Sequence, residues 1–145
     1  MAFRRAVLES IGGFDVELGV GSPTKAAEDT DLVFRASWAG FAGEYLPRIT
    51  VRHHHGRRTP ADGAAIDAAY DVGRGAFYCK HLRSRGTRQL ILRNWYWRIY
   101  LRSAAGRRRL ANELRGTAIY LWNHRRQAAD AAATGPARGG QPVLP

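Results

Sequence analysis

At 145 residues and 45% apolar content the chain suits one small folded domain with an extension, and disorder throughout is excluded. No run approaches ~18 uninterrupted apolar residues, so no spanning helix is expected, and the single Cys79 excludes an internal disulfide and fits a reducing compartment. The net charge of +11 is unevenly placed, with nine Lys/Arg against ten Asp/Glu in residues 1–79 but thirteen against two in residues 80–130, which points to an anionic partner.

Residues 3–11 read as a short helix with Phe3, Val7 and Ile11 on one face, ended by Gly12-Gly13. A loop carrying Gly19, Gly21 and Pro23 follows, able to bring its backbone close to a bound molecule. Three carboxylates then fall in four residues, Glu28-Asp29-Thr30-Asp31, directly before Leu32-Val33-Phe34-Arg35. Acids so placed read as the first turn of a helix over 28–39, closed by Gly40, where unpaired amides and the macrodipole stabilise negative charge. A carboxylate held ionised there is a candidate general base, although such acids also serve simply to cap a surface helix. Asp31 and Arg35 have the i, i+4 spacing of an ion pair.

Residues 41–46 and 49–53 read as two short strands around Pro47. His53 and His55 then share a face, from which alternate rings can reach one metal ion; a surface patch with Arg52, Arg57 and Arg58 is the competing reading. Thr59-Pro60-Ala61-Asp62 carries a cap, a first-turn proline and a first-turn acid, and so begins a helix. Ile66, Tyr70, Gly73, Phe77 and His81 form its expected buried stripe, with Arg74 solvated. Beyond Gly86, residues 89–102 and 107–130 read as two helices mixing Arg, Trp and Tyr, which suits either a membrane interface or a packed helix pair. Residues 131–145, rich in Ala, Gly and Pro, read as a disordered tail.

Taken in order, Gly12-Gly13-Phe14-Asp15, Leu18-Gly19-Val20-Gly21, Glu28-Asp29-Thr30-Asp31-Leu32, Tyr45-Leu46-Pro47 and Val51-Arg52-His53-His54-His55 resemble the C-terminal, acceptor-binding half of a family 2-type glycosyltransferase of the GT-A fold. The resemblance covers about residues 1–84 and implies an α/β fragment with two or three short strands, followed over 85–130 by a basic, mainly α-helical extension. It implies inverting transfer of a sugar from a nucleotide-sugar donor to an acceptor hydroxyl, with Asp29 as general base. Glu28 would bond a sugar or acceptor hydroxyl, Gly19 and Gly21 would shape the acceptor site, Asp15 would pin the loop, and Asp31 would be structural. His53, with His55 second, would help complete the site of a divalent metal, Mg or Mn, in the complete enzyme.

The nucleotide-binding half of such enzymes, with its metal-holding Asp-x-Asp, is not among the 145 residues, so the chain reads as a fragment that is inactive in isolation. The expected location is cytoplasmic, peripheral on the inner face of an anionic membrane. A non-catalytic membrane-surface or scaffold module is the competing function. Nucleic-acid binding is not expected, since no motif for it is visible.

Overall fold

The computed structural model describes residues 1–48, 50–52, 59–96 and 104–134. Among these the chain forms five helices: α1 (Arg5–Ile11), α2 (Glu28–Trp38), α3 (Pro60–Arg83), α4 (Arg88–Tyr96) and α5 (Ala104–Thr134). No strand is present among the described residues, which overturns the expected α/β fragment of a GT-A fold. Residues 41–46 and 50–52 are irregular and exposed. A short β-prone run becomes a strand only beside a neighbour that takes up its amides and carbonyls, and no described segment lies alongside to pair with this one.

Local chemistry marks the start of α3 and the end of α2. Thr59 and Asp62 form a reciprocal capping box at the start of α3, with Pro60 in its first turn. At the end of α2, Gly40 takes φ +89°. Its N–H donates to the Ser37 carbonyl while Phe41 N–H reaches back to Ala36, closing the last turn. The long α5 continues to Thr134, and residues 135–145 lie outside those described.

Helix α3 is the spine, with α5 packed along it and α4 folded against it. Two glycines allow the α3–α5 approach: a Cβ on Gly75 would collide with the Glu113 carbonyl, and one on Gly116 with the Val72 carbonyl. These glycines lower helix propensity but let the two backbones touch. Arg74 is not solvated as its neighbours in sequence suggest. It joins the helices, bonded to Asp71 within α3 and, at 2.7 Å, to Glu113 of α5. Burial disfavours that guanidinium's charge, but the Glu113 hydrogen bond and the two acids outweigh it and raise its pKa.

The buried residues of α3 lie in its second half. Gly73, Phe77 and His81 are buried as the stripe requires, whereas Ile66 is half-buried and Tyr70 is exposed. Leu18, Ala76, Cys79 and Tyr120 form the core, with Leu121 packed on it. Burial pushes the Cys79 thiol up, leaving it protonated and inert. No helix among the described residues is long and apolar enough to cross a membrane.

Candidate functional site

The acid motif opens α2, and its three carboxylates divide by direction. Asp31 points inward and is fully buried. Its Oδ2 accepts from Arg35 Nε at 2.7 Å and Lys80 Nζ at 2.9 Å, and its Oδ1 faces His81 Nε2 at 2.9 Å. Lys80 also donates to Asp15 Oδ2 at 2.7 Å, while the Arg35 guanidinium donates to the carbonyls of Ile11 at 2.5 Å and Gly13 at 2.6 Å. Burial alone would raise the Asp31 pKa. The hydrogen bonds from His81, Lys80 and Arg35, with the charge of Lys80, overcome it and lower the carboxyl to about 2.

This knot ties three segments together: the end of α1, the start of α2 and the buried half of α3. Phe34 and Phe77 wall it, their rings edge-on to each other at 5.4 Å and each tilted against the His81 ring, at 4.3 and 4.7 Å. Both carboxylate oxygens of Asp31 are buried and engaged by partners inside the fold, so it is an anchor and no proton acceptor for a substrate.

Glu28 and Asp29 face the other way. Asp29 is exposed, its Oδ1 accepting the Thr30 N–H at 2.7 Å, and Glu28 is half-buried. Gly19 lies directly under Glu28, with φ +94° and no room for a Cβ, which would sit 2.7 Å from the Glu28 carboxyl carbon. Gly21, at φ +92°, is exposed with open space around its Cα. Gly19 therefore contributes close packing and Gly21 an open turn.

The loop between them is built to hold one shape. The hydroxyl of fully buried Thr24 donates to the Glu17 carbonyl at 2.8 Å, and Ser22 Oγ donates to the Gly19 carbonyl at 2.8 Å. Asp15 Oδ1 accepts the Glu17 N–H at 2.8 Å, so Asp15 pins the loop from within and, through Lys80, to α3. Gly73 receives the far side, where any Cβ would press on the Ala26 carbonyl at 2.5 Å. Lys25 and Ala27, at φ 66° and 85°, are both left-handed without being glycine. Such strain persists only where surrounding contacts over-determine the backbone, and here it lies immediately before Glu28 and Asp29.

The loop is also tied to α5, which local sequence gave no means of seeing. Glu17 is buried, with Oε2 3.3 Å from His124 Nδ1 and Oε1 without a partner among the described residues. Tyr120 stacks on His124 at 5.9 Å. Burial, reinforced by the charges of Glu17 and Asp15, pushes the Tyr120 phenol up, so it stays neutral. The Glu17–His124 pair joins positions 107 residues apart. Lys80, adjacent to the expected buried His81, was legible only in retrospect, as the cation two inward-facing acids require.

The structure thus brings Gly19, Glu28 and Asp29 together and leaves Gly21 at the rim. His53 and His55 lie outside the described residues. Among the described residues no group of three or more His, Cys, Asp or Glu could hold a metal ion, so the residues in view do not supply the divalent-metal site implied by the resemblance. Comparison of the chain with protein-family models, with curated proteins and with solved structures found no match.

Proposed function

We propose that the chain is the acceptor-side part of an inverting glycosyltransferase, acting at the cytoplasmic face of a membrane, with Asp29 as general base toward an acceptor hydroxyl and Glu28 as its hydrogen-bond partner. The observation that carries this reading is the division of the acid motif. Asp31 is consumed as an internal anchor. Asp29 stays exposed in the first turn of α2. A base must reach the proton it takes, and a carboxylate at the mouth of a stiffened loop is so placed. In the transfer, the acceptor oxygen gives its proton to Asp29 and attacks the anomeric carbon as the bond to the nucleotide diphosphate breaks.

The test is Asp29→Asn in the chain joined to a nucleotide-binding half, with sugar transfer as the readout. Loss of a general base lowers the rate ~100- to 10,000-fold while donor binding is kept. A variant retaining more than about a third of native turnover refutes the assignment, given that magnitude.

A further inference from the structure

Helix α5 has an inner face that packs on the fold and an outer face that is exposed among the described residues. Gly116, Thr117, Tyr120 and His124 look toward α3 and the loop. At ~100° per residue, Arg107, Arg108, Arg115, Arg125 and Arg126 fall within one arc on the opposite side, and Trp122 lies near its centre. All five arginines are exposed, and Trp122 is 65% exposed. Leu114, at the edge of the arc, is 56% exposed. Of the helix's two acids, Glu113 is turned inward against Arg74, and Asp130 lies about a quarter-turn from the arc's centre.

A tryptophan and a leucine held in water beside five guanidinium groups are poorly served by solvent. They are well served by a surface that is anionic outside and apolar just beneath. The geometry points to the outer face of α5 as a docking surface for an anionic phospholipid bilayer. The helix, ~46 Å long, lies parallel to the membrane plane, with arginines on lipid phosphates and Trp122 between headgroups. Charge complementarity selects the anionic leaflet, and exposed apolar side chains favour lipid over a polynucleotide backbone, which offers no apolar phase. This surface goes beyond sugar transfer and rests on α5 alone.

The test is co-sedimentation of the full chain with vesicles of phosphatidylcholine, alone or with about one-third phosphatidylglycerol, at ~0.05 and ~0.5 M salt. Binding is expected to the anionic vesicles only and to weaken at high salt. The triple variant R107E/R108E/R115E should lower that partition on the order of 100-fold, since each juxtamembrane cation contributes about fivefold. Trp122→Ala should lower it several-fold. The charge-matched R4E/R5E/R48E, altered at exposed sites off α5, should stay within about threefold of native. Far-UV circular dichroism checks that helix content is kept; if the triple variant loses it, Trp122→Ala carries the test. Equal binding to both lipids, no binding, equal loss in the charge-matched control, or native partition in Trp122→Ala overturns the inference. So does displacement from vesicles by an oligonucleotide, which would assign the face to nucleic acid. None of these outcomes alters the result expected for Asp29→Asn.

Discussion

Replacing Asp31 by asparagine keeps the side chain's shape and removes the charge on which Arg35, Lys80 and His81 converge. The native carboxyl titrates at about 2 against 3.8 for an unperturbed aspartate. At ~1.4 kcal/mol per unit, its ionised form contributes about 2–3 kcal/mol to folding at neutral pH. The site is fully buried, so solvent screening does not reduce that figure. The amide also turns a donor toward Lys80 or His81, and a buried pair broken from one side typically costs 3–5 kcal/mol. Asp31→Asn is therefore expected to lose about 3–5 kcal/mol, a large share of a small domain's ~5–15 kcal/mol. Because the folded pKa is depressed, the carboxylate's contribution is complete above roughly pH 5 and is lost as pH falls through about 2. Urea unfolding followed by circular dichroism should show a wide gap between native and variant at pH 7 that narrows steadily toward pH 2. A gap under about 1 kcal/mol at pH 7, or one unchanged between pH 5 and pH 2, refutes the account of Asp31 as the charged anchor.

Gly116→Ala should destabilise by at least ~2 kcal/mol despite alanine's better helix propensity, because its Cβ meets the Val72 carbonyl; a stabilised variant in thermal unfolding would remove the close α3–α5 crossing. Gly63→Ala, in the same helix as Val72 but with open space around it, should gain up to ~1 kcal/mol in the same assay, and a loss would contradict the open space at that position. Ala27→Gly should stabilise by up to ~1 kcal/mol by relieving the left-handed backbone before α2, and a clear loss of stability would show that φ 85° carries no strain.

Local signals served the helices well because helix boundaries are decided by neighbours in sequence. The capping box at Thr59, the glycine closing α2 and the acidic first turn at Glu28 are all contacts within five residues. The Asp31–Arg35 pair is of this kind too, four residues apart on one helix. The strands failed for the complementary reason. Residues 41–46 have the composition of a strand, but a strand is a relation between two segments, and one segment's sequence does not contain its partner. The proposed role of Asp29 rests on its place in the motif and on the fold turning it outward.

The sequence by itself determined where the chain is helical, where charge accumulates and which acids stand together at the start of α2. Only the tertiary structure decided which of those acids is spent inside the fold. Lys80 and His81 reach Asp31 across about fifty residues, His124 reaches Glu17 across more than a hundred, and α5 turns one face to α3 and its arginines to water. A carboxylate's chemistry follows from its neighbours in space, and burial with three hydrogen-bonding partners makes Asp31 an anchor while exposure leaves Asp29 available.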